Sequence, residues 1–104
     1  MSRNPHYLYR LSILWTLHRL SHEVSKEMLA TRILPVLVEC ASDRVANVKF
    51  NVAKVFKGIA PLADRSTIEG TIRPCLNELL ADPDFDVKYH AHLALEACNE
   101  AVAA

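Results

Sequence analysis

Two histidine pairs offer the first candidate chemistry. His18 and His22 stand four residues apart, a spacing that puts two imidazoles on one helical face, where they can share a metal ion. No carboxylate or thiol completes a zinc-like set, and His22-Glu23 lacks the HExxH arrangement of a metalloprotease. Two ligands rarely hold a metal, so ordinary surface positions are expected. His90 and His92, two apart, face different sides of a helix. Asp82, Asp84 and Asp86 alternate with Pro83 and Phe85 as in a calcium loop, but the glycine and distal glutamate of such a loop are absent. They read instead as favourable charges at a helix N-terminus. Cys40, Cys75 and Cys98 form no CxxC pair and fall on apolar stripes, so buried free thiols in a reducing compartment are expected. No glycine-rich phosphate loop or GxSxG elbow occurs. The expectation is a chain with no catalytic residues, metal or cofactor.

Composition narrows the classes further. The 104 residues suit one domain with a real core, and 51% are apolar. Twelve acidic and 12 basic residues balance, which removes the electrostatic argument for a nucleic-acid partner or a membrane surface. Two glycines, and prolines placed where helices begin, bend or end, favour an all-α class. No secretory signal or spanning run is visible, so a cytoplasmic or nuclear setting is expected.

The elements repeat at an offset of 39 residues. Asn4-Pro5-His6-Tyr7-Leu8-Tyr9-Arg10-Leu11 aligns with 43–50, and that stretch aligns with 82–89. One apolar template fits three helices. Tyr9, Ile13, Thr16, Leu17 and Leu20 correspond to Val48, Val52, Val55, Phe56 and Ile59, and these to Val87, Ala91, Ala94, Leu95 and Cys98. Each set predicts one buried helical face, with Thr16 the polar intruder. Between them lie two partner helices, carrying Leu29, Ile33, Val36, Leu37 and Cys40, and Ile68, Ile72, Cys75, Leu76 and Leu79. Ser66-Thr67-Ile68-Glu69 predicts a capping box. Pro35 and Pro74, at matching places inside the partner helices, predict a bend or a late helix start.

A period near 40 with two helices per unit is the signature of a HEAT or armadillo solenoid, a right-handed superhelical stack that binds macromolecules. The predicted fold is an all-α HEAT-repeat α-solenoid of about two and a half repeats, in the helix order B, A, B, A, B. Residues 1–24 would be helix B of a truncated repeat, 25–64 a complete repeat and 65–104 a complete C-terminal one. Helix B at the start has no A partner, which is expected to expose Leu8, Leu11, Leu14 or Trp15, as in a fragment of a longer solenoid or a protein that self-associates through this helix. Arg10, Lys49 and Lys88 each follow Asn4, Asp43 or Asp82 by six residues, the acid–base pattern of a ladder between neighbouring HEAT turns, with Asn4 a neutral rung.

The turn sequences carry a more specific likeness. Asp43-Arg44-Val45-Ala46-Asn47-Val48-Lys49-Phe50-Asn51-Val52-Ala53-Lys54, Met1 through Arg10, and Asp86-Val87-Lys88-Tyr89 resemble the last repeats of the scaffold (A) subunit of protein phosphatase 2A. The resemblance implies a non-enzymatic scaffold whose C-terminal repeats hold the phosphatase catalytic subunit through the turns between helices A and B. Regulatory subunits would sit on N-terminal repeats that this chain lacks. The partner-binding positions so implied are Tyr7, Val45 with Ala46, and Phe85; Arg44 and Phe85 depart from the family's turn chemistry. Read from the residues alone, each turn side chain either anchors a partner or staples the start of its own helix. A generic HEAT adaptor and a truncated product without binding are the competing readings.

Overall fold

Among the described residues five helices follow one another in a two-layer stack. The computed structural model describes residues 5–103, with side chains from Tyr9 onward. Helix α1 is Pro5–Leu20, α3 is Ala46–Ile59 and α5 is Phe85–Ala103. The intervening helices are continuous but not uniform. Helix α2 (residues 26–40) joins Lys26–Met28 and Leu34–Cys40 through a π-helical turn at Leu29–Ile33. Helix α4 (residues 65–80) joins Arg65–Thr67 and Arg73–Leu80 through another at Ile68–Ile72. Helices α1, α3 and α5 form one layer; α2 lies against α3, and α4 against α5. The expected all-α HEAT-repeat solenoid is the architecture formed.

Both π-turns have the same cause. Proline has no N–H to donate and its ring collides with the carbonyl of the preceding turn. Just before Pro35 the chain widens, and the Leu34 N–H reaches back five residues to the Leu29 carbonyl. Just before Pro74 the Arg73 N–H reaches the Ile68 carbonyl in the same way. The expected bend is thus absorbed as one wide turn at equal places in both A helices, a recognised form of helix irregularity.

The core lies between the layers. Val48, Val52, Val55, Phe56 and Ile59 are all fully buried, as are Val87, Ala91, Ala94 and Cys98 in α5. Leu29, Ile33, Leu37 and Cys40 of α2 cover the former set; Ile68, Ile72, Leu76 and Leu79 of α4 cover the latter. A fully buried Val, Leu or Ile contributes roughly 1.5–3 kcal/mol through removal of apolar surface from water.

Helix α1 departs from the expected pattern. Tyr9 is 66% exposed and Leu20 47%, Thr16 is exposed, and Ile13 and Leu17 are half-buried. Leu14, expected on the open side, is fully buried. The reason is packing geometry: among the described residues α1 packs chiefly on α3, so its sealed side is the one facing α3. The side that in α3 and α5 faces an A helix has none here among the described residues.

The start of α4 also differs from expectation. Asp64, not Ser66, is the N-cap: its carboxylate accepts the Thr67 N–H at 3.0 Å, and the Ser66 hydroxyl donates to the same oxygen at 3.1 Å. Those bonds hold the Asp64 carboxyl below its ordinary pKa. An aspartate caps as well as a serine and adds its charge to the helix dipole. Glu69 is thereby released to pair with Arg73 at 2.9 Å.

Candidate functional site

Two A-to-B turns, residues 41–45 and 81–84, lie along one edge of the stack and are fastened alike. In the first, Asp43 Oδ1 accepts the Val45 N–H at 2.8 Å, while Oδ2 accepts Arg10 Nη1 from α1. In the second, Asp82 Oδ1 accepts the Asp84 N–H at 2.9 Å, while Oδ2 accepts Lys49 Nζ from α3. Each aspartate therefore folds its own turn with one oxygen and ties it to the preceding B helix with the other. A carboxylate suits this because it accepts at both oxygens when ionised. The Lys49 hydrogen bond, then the Asp84 N–H, hold the Asp82 carboxyl below the usual carboxylate range, against a smaller opposing effect of burial. Lys88 repeats the position of Arg10 and Lys49 in α5 but makes no ion pair among the described residues. Asn4 lies outside the described residues, as does the side chain of Tyr7.

The remaining turn positions differ in availability. Val45 and Ala46 are half-buried and pack against the core, so they staple the start of α3 while showing only part of their surface. Phe85 is 77% exposed. It opens α5 beside Asp84, whose Oδ1 caps the helix through the N–H groups of Asp86 (2.8 Å) and Val87 (3.1 Å). Arg44 is exposed.

Phe85 also heads an aromatic row. Its ring stacks on Tyr89, 6.3 Å between centroids and 11° between planes. Tyr89 meets His90 edge-on at 5.2 Å, and His90 stacks on Phe50 of α3 at 5.4 Å. Lys54 Nζ lies over the Phe50 ring, 5.7 Å from its centroid. Burial, then the Lys54 charge, push the His90 pKa down, against an upward pull from Asp86. The row crosses from one helix pair to the next. The sequence carried a signal for it, since Phe50 and Tyr89 recur at the 39-residue offset; His90 has no such counterpart.

The other reactive residue types have structural roles. His22 Nδ1 lies 3.1 Å from the His18 carbonyl, and the two rings meet edge-on at 5.4 Å. His92 pairs with Glu96 at 3.3 Å on the outer side of α5. Among the described residues no three His, Cys, Asp or Glu side chains come together as a metal set. Cys40, Cys75 and Cys98 are buried and unpaired, and burial pushes the Cys75 thiol up to about 11. Such thiols are poor nucleophiles at neutral pH. No helix among the described residues is long and apolar enough to cross a membrane.

No protein-family model matches the chain. It is similar to the A-type regulatory subunit of protein phosphatase PP2A from Saccharomyces cerevisiae, 35% identical over 100 residues, which is 90% of this chain and 16% of the relative. It is likewise similar to the PP2A 65 kDa regulatory subunit of Drosophila melanogaster, 46% identical over 55 residues (53% of this chain, 9% of the relative). The beta isoform of the A-type 65 kDa regulatory subunit of phosphatase 2A from Homo sapiens is 47% identical over 51 residues (49% and 8%). The chain thus spans a sixth or less of the length of these curated relatives. All three are named as regulatory subunits.

Proposed function

We propose, from the premise that this chain is repeat material of the protein phosphatase 2A regulatory A-subunit kind, that it acts as a scaffold segment which docks a phosphatase catalytic subunit through its A-to-B turns. On this reading 1–24 is helix B of one repeat, and 25–64 and 65–104 are complete repeats. The contacting side chains are Tyr7, Val45, Ala46 and Phe85. A regulatory subunit is held only indirectly, and the setting is cytoplasmic or nuclear.

One observation carries the reading: Asp43 and Asp82 fasten successive turns by the same two-oxygen arrangement. Repeated fastening fixes the spacing of turn side chains, so several weak contacts can be made at once by a surface that is already ordered. Exposure supports Phe85 as the leading anchor, because an aromatic ring with most of its surface in water gains most from entering a partner's pocket. Arg10 and Lys49 serve the spacing rather than the contact.

The test is capture of purified phosphatase 2A catalytic subunit on the immobilised chain, with Phe85→Ala beside it. Saturable capture that weakens severalfold in Phe85→Ala, with the helical spectrum unchanged, is expected. Capture that Phe85→Ala and Tyr7→Ala both leave intact would overturn the turn assignment. Absence of capture would overturn docking by this chain.

A further inference from the structure

The seam between α3 and α5 is aromatic where it meets solvent. Phe50 of α3 stacks on His90 of α5, and Tyr89 meets the same imidazole edge-on. Tyr89 is 49% exposed, so these rings border water rather than the core. On the α3 side, Phe50, Lys54 and Lys57 stand at i, i+4 and i+7, one face of the helix. Both lysines are exposed, and neither pairs with a carboxylate among the described residues. Lys54 is held over the Phe50 ring instead. Both ammonium groups disfavour protonation of His90, which places them along the seam. The acidic groups nearby are not theirs. Asp86 lies one helical turn before His90, near the end of the seam opposite Lys57. Glu96, the counterpart of Lys57 one repeat later, pairs with His92.

We infer that this seam docks an extended acidic segment of a partner protein, with carboxylates on Lys57 and Lys54 and an apolar side chain on Phe50 and Tyr89. Spacing and charge both favour that occupant. Lys57, Lys54 and Phe50 succeed one another along α3 by about 4.5 and 6 Å of helix rise. An extended chain turns every second side chain to one side, about 6.6–7 Å apart. The order carboxylate, spacer, carboxylate, spacer, apolar therefore matches the three positions within the reach of flexible lysine stems. The rings strengthen the match. An ammonium already held over a ring loses less freedom on pairing, and an apolar contact beside it keeps water from the ion pair. Asp86 fixes how the segment lies, since its charge repels carboxylates from the Phe50 end. A nucleic-acid strand fits less well: two lysines cannot neutralise a run of phosphates, and the chain carries no net charge. The inference goes beyond phosphatase docking, which is assigned to the turns.

The probe is a fluorescein-labelled peptide of the pattern Glu-Ser-Glu-Ser-Leu, added to the full 104-residue chain at low ionic strength. A saturable rise in anisotropy is expected. Binding should be about tenfold weaker in the double variant Lys54→Glu with Lys57→Glu, weaker also in Tyr89→Ala, and should fade as salt is added. A peptide with glutamine in place of both glutamates should not bind. Lys26→Glu with Arg32→Glu, an equal change of charge on exposed positions of α2, should bind as the parent does. The substituted side chains reach solvent, so folding is expected to be kept, and circular dichroism checks this. No saturable binding, or binding that the Lys54 and Lys57 double variant leaves unchanged, would overturn the inference. So would an equal loss in the α2 variant, because net charge would then be the cause. A thymidine oligonucleotide of equal charge that binds more tightly than the peptide would overturn it in favour of nucleic acid. Capture of the catalytic subunit should survive the Lys54 and Lys57 double variant, so failure of one reading is visible without failure of the other.

Discussion

Lys49 in α3 donates to Asp82 across 33 residues of sequence, and the same carboxylate folds the turn that begins α5. Arg10 and Asp43 repeat the relation one unit earlier, also 33 residues apart. The turn geometry and the register between neighbouring helix pairs are therefore not independent. A side chain that loosens one loosens the other.

Asp82→Asn tests that coupling. The amide keeps one acceptor but loses the charge that holds Lys49, so a destabilisation of about 1–2 kcal/mol is expected. Because the Asp82 carboxyl is held low in the fold, its stabilising effect is complete above the ordinary carboxylate pKa. That effect disappears as pH falls through the depressed value. Urea unfolding of the parent should therefore lose stability below about pH 4 more steeply than that of Asp82→Asn. Equal slopes would mean that Asp82 does not carry the difference.

Gly58 of α3 lies against the His18 ring of α1. A Cβ on Gly58 would lie 2.3 Å from His18 Nε2 and 3.0 Å from Cδ2, so the imidazole must move if alanine replaces glycine. Gly58→Ala alone should destabilise by about 1–2 kcal/mol through overpacking. In a His18→Ala background the same substitution should stabilise by about 0.5–1 kcal/mol, since alanine is the better helix former. The reversal of sign, read by thermal or urea unfolding, is the diagnostic. A loss of the same size in both backgrounds would place the cost elsewhere.

Much of this architecture was legible because the 39-residue offset compares each position with its own repeat. The buried faces of α3 and α5 follow from it, as do the two A helices. The offset misleads at α1, where Tyr9 and Leu20 share the template of Val48 and Ile59 but lack the covering helix that would bury them. Periodicity reports which side of a helix is apolar, not whether anything lies against it. The helix starts two residues earlier than the capping-box reading placed it, because the Asp64 carboxylate accepts the Thr67 N–H and the Ser66 hydroxyl donates to that carboxylate instead of capping. At the turns, the resemblance points to Val45 more than to Phe85, which departs from the family's turn chemistry, yet Phe85 is the more exposed of the two. Their exposure depends on whether the start of the helix folds the side chain inward, as for Val45, or leaves it outside, as for Phe85.

Leu37→Ala and Tyr9→Ala measure that contrast directly. Leu37 is fully buried beneath α3, and its truncation should cost about 2–5 kcal/mol by lost transfer energy and a residual cavity. Tyr9 stands largely in water, so its truncation should change stability by less than about 0.5 kcal/mol. A Leu37 cost below about 1 kcal/mol would mean that the α2–α3 interface repacks freely. A large Tyr9 cost would mean that this side of α1 is covered in the free chain.

His90 gives the fold a second, milder pH dependence. It is wedged between Phe50 and Tyr89, with Lys54 and Lys57 disfavouring a further positive charge and Asp86 partly offsetting them. Its pKa is therefore lower in the fold than in the unfolded chain, where it titrates near 6.5. The unfolded chain takes up the proton first. The stability contributed by neutral His90 is complete above that value and declines as pH falls through it toward the depressed one. His18 has the same sign, from burial and the neighbouring His22, so it adds to the slope. Urea midpoints should fall between about pH 7.5 and 5.5, and His90→Leu, which keeps an apolar filler beside Phe50, should flatten the fall while His18 sustains the remainder. A midpoint that rises over that interval would show that protonated His90 is favoured by its aromatic neighbours, with Phe50 and Tyr89 acting as a cation site rather than as a wall against water.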